Sequence, residues 1–304
     1  MNRLPMVYMI ILNFNSYEDT IECVKSIEKI SYDNYKIIIV DNNSSDNSVK
    51  EIQEQLPNYK LLLSKENLGY AKGNNIGIEY ALNEGAEYVC ILNNDVIVEE
   101  NFLEPLIEKF SCDSNVGMVG PCICEYSSRN EVQAMGASIN LYRGLAMGQY
   151  QGVNYDSISE KELEVDYLGG ACFVVKAEVF KAIGLIPENY FLFYEETEFC
   201  LSARRKGYKL ICLHESKVFH KRSATIAKYG GLSYYFLNKN RIIFMRRNAS
   251  IIQKIIFAAY IVLESIGRIM LRKEPFKLFS YYLDGLKADV NEIDTEKINY
   301  YLKK

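Results

Sequence analysis

Residues 37–46 read Ile37-Ile38-Ile39-Val40-Asp41-Asn42-Asn43-Ser44-Ser45-Asp46, four unbroken aliphatic residues followed by a polar cluster. An apolar run of strand length without alternation suits a parallel strand covered on both faces. The polar cluster ends the strand, forms a loop and supplies an N-cap for a helix. The same succession recurs on either side. Residues 7–12 form another apolar run, after which Ser16 and Asp19 are spaced to cap a helix carrying Ile21, Val24 and Ile27. Lys60–Leu63 is a short strand leading through Asn67-Leu68-Gly69 into a helix that ends near Gly85. Residues 88–92 are a fourth strand, stopped by Asn93-Asn94-Asp95. Four repeats of strand, polar loop and helix predict an α/β fold with a doubly wound, mostly parallel sheet and right-handed crossovers. Ligands of such sheets sit beyond the carboxyl ends of the strands. Asn13, Asn15, Asp41, Asn67, Gly69 and the Asn93-Asn94-Asp95 triplet fall there.

After Pro121 the pattern is irregular to about residue 166. Leu168-Gly169-Gly170-Ala171 then opens a strand, and Ala177–Ile183 reads as a short helix. Tyr190-Phe191-Leu192-Phe193-Tyr194 precedes the acidic head Glu195-Glu196-Thr197-Glu198 of a helix that runs to Gly207. From about Gly231 the chain becomes aromatic, aliphatic and basic. The expected division is a domain over 1–230 and a C-terminal helical extension over 231–304.

With 304 residues, 49% hydrophobic and 24% charged, the chain can bury a sizeable core, which excludes a disordered or fibrous protein. A net charge of −4 is too mild for a nucleic-acid binder, so no such partner is expected. The charge is uneven, however: from Arg204 to Lys277 there are 17 lysines and arginines against 3 acidic residues. That imbalance suggests a late segment facing phosphates or an anionic membrane surface. Its longest uncharged apolar stretch, residues 255–263, falls far short of the ~20 residues that span a bilayer. Around it Arg241, Arg246, Arg247, Lys254, Arg268, Arg272 and Lys273 interleave with Tyr234, Tyr235, Phe236, Phe244 and Phe257, a composition suited to peripheral membrane contact. The plainer alternatives are helices packed on the main domain or a homodimer contact. Eight cysteines without a C-x-x-C pair read as small buried hydrophobes in a reducing compartment. The first residues lack the apolar stretch of a signal peptide, so a cytoplasmic protein is expected.

Common chemical fingerprints are missing. No G-x-G-x-x-G follows the first strand, and no G-x-x-x-x-G-K-[ST], H-E-x-x-H or G-x-S-x-G occurs. What remains is an ordered set of amides and carboxylates. Ile10-Ile11-Leu12-Asn13-Phe14-Asn15-Ser16, Val40-Asp41-Asn42-Asn43-Ser44-Ser45-Asp46, Asn67-Leu68-Gly69-Tyr70-Ala71-Lys72-Gly73-Asn74, Leu92-Asn93-Asn94-Asp95, Tyr194-Glu195-Glu196-Thr197-Glu198-Phe199-Cys200 and Val218-Phe219-His220-Lys221-Arg222-Ser223 together resemble the motifs of the family 2 glycosyltransferases, in their rhamnosyltransferase-like branch. The likeness spans roughly residues 5–225.

The resemblance implies a GT-A fold and an inverting transfer from a nucleotide-sugar donor to a glycan or lipid-linked saccharide acceptor. It implies a divalent metal, Mn²⁺ or Mg²⁺, held by Asp95 with His220 as second ligand or diphosphate contact. Asp41 matches the acceptor of a uracil or thymine ring N–H. Asn13, Asn67, Gly69, Lys72, Asn93 and Asn94 would line the nucleotide-sugar pocket, and Gly169, Gly170 and Ala171 would leave room for donor and acceptor sugars. Direct displacement needs a base for the acceptor hydroxyl, and Glu196 matches it, with Glu195 as the alternative. The chain departs from the family pattern at Glu196, where aspartate is usual, at Asn93, often acidic, and at Ser202, often arginine. For that last position Arg204 is the nearby substitute. Two rival readings are a sugar nucleotidyltransferase, which would need a basic glycine-rich loop after the first strand, and a catalytically inactive glycan-binding subunit.

Overall fold

The computed structural model describes residues 3–221, 230–272, 276–293 and 298. Arg222, Ser223 and Lys273 of the segments quoted above lie outside them. The first half runs β1 (Val7–Asn13), α1 (Tyr17–Ile27), β2 (Tyr35–Asp41), α2 (Ser48–Gln55), β3 (Lys60–Leu63), α3 (Gly69–Asn83) and β4 (Tyr88–Asn93). Next come β5 (Val96–Val98), α4 (Leu103–Cys112), β6 (Val116–Glu125), β7 (Val132–Ala134), β8 (Ala137–Asn140), β9 (Leu145–Gly148), β10 (Glu162–Glu164) and β11 (Cys172–Lys176). The remainder is α5 (Ala177–Ile183), α6 (Glu195–Arg205), β12 (Lys209–His220), α7 (Gly230–Asn248), α8 (Ile251–Arg272) and α9 (Lys277–Lys287).

The main sheet has the order β10-β12-β6-β11-β4-β1-β2-β3, with β5 and β7 attached to β12 and β6. β1 to β4 are mutually parallel, as expected; β11 enters antiparallel between β4 and β6, and so sets β6 and β12 parallel to β4. The continuous apolar runs are explained by two-sided burial. In β1, Val7, Met9 and Ile11 join a core with α1 and α4, while Tyr8 and Ile10 face a second core with α3, α5 and α6. The order of strand addition reverses between β1 and β4, because β2 and β3 lie to one side and β4 to the other. The crevice at such a switch point is where ligands bind, and it is bordered here by Asn13 and Asn93.

Two expectations need correction. Ser16 does not cap α1 through a backbone N–H; its hydroxyl instead donates to Asp19 Oδ2 at 2.7 Å. Of the cysteines, seven are buried but Cys112, on the outer side of α4, is exposed. Among the described residues, several of the basic and aromatic side chains of the tail are engaged inside the structure. Arg241 donates twice to Arg143 O and to Glu264 Oε2 at 2.6 Å. Arg246 donates to the carbonyls of Gly285 and Ala288, and Arg268 to Asn238, Tyr234 and Tyr282. Tyr235, Phe236, Phe244 and Phe257 are buried. These guanidiniums satisfy carbonyls and phenols that would otherwise be stranded between helices, so they serve cohesion.

Candidate active site

The carboxyl edge is organised around Asn13, which is fully buried. Its Nδ2 donates to Asp41 Oδ1 at 2.8 Å and to Ser44 Oγ at 3.1 Å; its Oδ1 accepts from Thr20 Oγ1 at 2.8 Å. Asp41 also accepts from the Ser44 hydroxyl and, through Oδ2, from Ser44 N at 2.9 Å, closing the turn after β2. Asn15, at φ 51°, accepts from Ser45 N and so fastens the first loop to the second. The turn carries Asn43 and Ser45 into the wall of a cleft of about 640 Å³, shared with Phe14, Asn67, Lys72 and Phe191. That volume suits a small-molecule ligand.

Asn67 accepts from Gly69 N and from Asn42 Nδ2, both at 3.0 Å. Asn42 is a residue that sequence reasoning missed. Buried at the end of β2, it also donates to Gly69 O and accepts from Leu68 N, so one amide holds the whole 67–69 loop. Gly69 adopts φ 76°, and a Cβ there would overlap Phe191 O. The close approach that requires glycine is thus made by the 191 backbone, whose carbonyl accepts from Tyr70 N at 2.8 Å.

At the end of β4 the three polar residues separate. Asn94 Nδ2 donates to Ser16 O and Thr20 Oγ1, tying β4 to α1. Asn93 N donates to Ala171 O at 2.9 Å. Asp95, 3% exposed, has Oδ1 3.3 Å from His220 Nε2. The antiparallel pairing of β5 with β12, which sets Val96 opposite His220, brings them together across 125 residues of chain. Gln133 Oε1 lies 2.7 Å from His220 Nδ1. The ring thus lies between two oxygen acceptors, the Gln133 amide at Nδ1 and the Asp95 carboxylate at Nε2. An imidazole nitrogen and a carboxylate oxygen 3.3 Å apart could both ligate one divalent cation. Among the described residues no cluster of three or more His, Cys, Asp or Glu exists to hold a metal alone. Lys221 is bound instead to Asp19 and Glu22.

Glu195 and Glu196 start α6, and both are buried, at 1% and 9% exposure. Burial and the neighbouring Glu196 carboxylate push Glu195 well above the usual carboxylate range; its Oε2 has no hydrogen-bond partner. Burial raises Glu196 to about 7. A Cβ at Gly170 would overlap Glu196 Oε1, so this glycine makes room for the carboxylate. Tyr70, at the start of α3, donates its phenol to Gly170 O at 2.7 Å and is a second residue missed in the sequence. Gly169 is half-buried beside Ile123, and Ala171 is buried. The turn 169–171 thus touches both segments: Ala171 O accepts from Asn93 N, two residues before Asp95, and Gly170 faces Glu196.

The segment entering α6 is strained. Phe191, Phe193 and Tyr194 have φ of 68°, 68° and 77°, values that bulky side chains rarely adopt. A single amide from α7 holds them: Asn240 Nδ2 donates to the carbonyls of Tyr190, Leu192 and Phe193 at 2.9, 2.8 and 3.2 Å. One turn into α6, Glu198 accepts from Tyr190, from Arg247 and from Asn248. Arg204 does not approach the Glu195–Glu196 pair but forms an ion pair with Asp166. Asn240→Ala is expected to lower stability by about 2 kcal/mol in urea denaturation, from unpaired buried carbonyls. It should also reduce kcat more than it weakens donor binding.

A glycosyltransferase of the GT-A fold is the class that this sheet and its carboxyl-edge site define. The chain belongs to glycosyl transferase family 2, whose family model matches residues 8–184. It is 28% identical over 206 residues to the low-salt glycan biosynthesis hexosyltransferase Agl10 of Haloferax volcanii, an alignment covering 66% of this chain and 62% of that protein. It is 23% identical over 256 residues to the dTDP-rhamnosyl transferase RfbF of Shigella flexneri, covering 80% of each. Among solved structures it is similar to GalNAc-T7 crystallised with UDP, GalNAc and Mn²⁺, with a TM-score of 0.67 and 15% identity. That likeness covers the whole of this chain and 58% of the other, and shows the fold.

Proposed function

We propose that the chain transfers a sugar, rhamnose first among the candidates, from a dTDP- or UDP-sugar to a cell-surface glycan or lipid-linked saccharide, with inversion, at the inner face of the cell membrane. The observation that carries this reading is the 169–171 turn, which accepts from Asn93 N, two residues before Asp95, and packs against the carboxylate of Glu196. In this reading residues 1–230 perform the chemistry and 231–304 brace it through Asn240 and Arg247. The names of RfbF and of the N-acetylglucosaminyl-diphospho-decaprenol L-rhamnosyltransferase of Mycobacterium tuberculosis, 23% identical over 210 residues, support the choice of donor and acceptor.

Asp41, braced by Asn13 and Ser44, accepts the ring N–H of the pyrimidine, while Asn67, Lys72 and the cleft wall receive the nucleotide. Asp95 and His220 would hold a divalent cation; when bound, it supplies positive charge to the diphosphate leaving group. Glu196 takes the proton of the acceptor hydroxyl as that oxygen bonds to the anomeric carbon. The bond from the anomeric carbon to phosphate oxygen breaks, and the nucleoside diphosphate departs with its electron pair. Calorimetry with UDP, dTDP and GDP, each with and without Mn²⁺, tests the reading. One pyrimidine nucleotide should bind at least about tenfold tighter than GDP, and only with the cation. Asp41→Asn should weaken that binding about tenfold, the loss of a charge-assisted hydrogen bond. Preferential binding of GDP would defeat the assignment.

A further inference from the structure

Helix α8 is turned inside out for a helix in water. Its inner stripe, Phe257, Ile261 and Ser265, is buried at successive turns, and the charged Lys254, Glu264 and Arg268 lie half-buried beside it. Its outer face is aliphatic: Ile252, Ile255, Leu263, Ile266 and Met270 are 46–74% exposed. Helix α9 continues the pattern, with Phe279, Leu283 and Leu286 exposed at near-helical spacing and Tyr281 and Tyr282 buried. Of the 18 large apolar side chains exposed among the described residues, 13 lie between Ile251 and Leu286. Monomeric soluble surfaces rarely concentrate apolar side chains in this way. No helix among the described residues is long and apolar enough to cross a membrane.

We infer that the outer faces of α8 and α9 dock on an anionic lipid surface, lying in the plane of the interface. Charge selects lipid over a second copy. From Ile251 to Lys287 the sequence holds six lysines and arginines against three acids. One of those acids, Glu264, is neutralised by Arg241, while Lys277 and Lys287 are exposed on α9. A twofold contact through this face would bring two basic rims together, whereas an anionic leaflet complements them. Unlike the basic face anticipated from composition, the means of docking is the row of isoleucines and leucines, with lysines at its margin. This inference deepens the membrane location in the proposed function and rests on the surface of α8 and α9, not on the transfer chemistry.

Flotation of the full chain with vesicles tests it. Vesicles of phosphatidylcholine and phosphatidylglycerol in equal parts should carry the protein, and vesicles of phosphatidylcholine alone should carry it about tenfold less. Leu263→Glu combined with Ile266→Glu should abolish flotation while the thermal midpoint and nucleotide binding stay as in the parent, since both positions are exposed. Lys277→Glu with Lys287→Glu should erase the preference for anionic vesicles. The inference is overturned if the parent does not float, or if the Leu263–Ile266 variant floats equally well. It is also overturned if sedimentation velocity shows a parent dimer that this variant dissolves without any lipid binding.

Discussion

Glu196→Gln is expected to lower kcat about a thousandfold, within the range that a positioned general base supplies, while the dissociation constant of the donor nucleotide stays nearly unchanged. Glutamine keeps the shape of the side chain beside Gly170 but cannot take a proton. Glu195→Gln should behave differently. Burial and its neighbour hold Glu195 above the usual carboxylate range, which favours its neutral form, so a neutral amide there should cost activity less than about tenfold. The pair of variants separates the two carboxylates, and equal losses would transfer the base to Glu195. The pH profile gives an independent check. Burial raises the Glu196 carboxyl to about 7, and only its ionised form accepts a proton. The rate must therefore fall as pH drops through about 7, and the limb should be absent from Glu196→Gln. An ordinary carboxylate exposed to water would put that limb near pH 4.3.

Gly170→Ala is expected to lower kcat about a hundredfold with little change in folding stability. The added Cβ would occupy the space of Glu196 Oε1, the free end of a side chain, whereas the nearest backbone need not move. The carboxylate rotates away from its working position, and displacement of a catalytic group by about 1 Å can cost that much. Donor affinity should hold, because Asp41, Asn67 and Lys72 lie on other loops. Single-turnover rates, measured beside calorimetry and thermal unfolding, distinguish the outcomes. A parent-like rate would show that Gly170 does not shape the seat of Glu196, and a large fall in unfolding midpoint would make the glycine a packing residue. The substitution tests whether the turn that touches both segments also aligns them.

Much of the first half of the molecule was legible as linear pattern. A strand buried on both faces must be apolar at every position, so residues 7–12, 37–40 and 88–92 announce themselves, and the polar residue after each marks the ligand edge. Asn13, Asp41 and Asp95 could be picked out on that ground. Other parts of the site carry no such mark. Asn42 is one amide within a polar loop until its three bonds to Asn67, Leu68 and Gly69 are seen. Positive φ at Phe191, Phe193 and Tyr194 contradicts local preference, since tertiary bonds from Asn240 override it. The arginines of the tail read as a basic surface because composition does not record which carbonyls they meet.

Local periodicity and motif order by themselves determined the mostly parallel α/β sheet and the family likeness, because these depend on neighbours within a few residues. Tertiary structure alone decided that His220 faces Asp95 through β5 and β12, that Gly170 yields space to Glu196, and that α8 turns its apolar side outward. Each of these depends on contacts between segments distant in the chain, and a contact of that kind leaves no periodic trace along it.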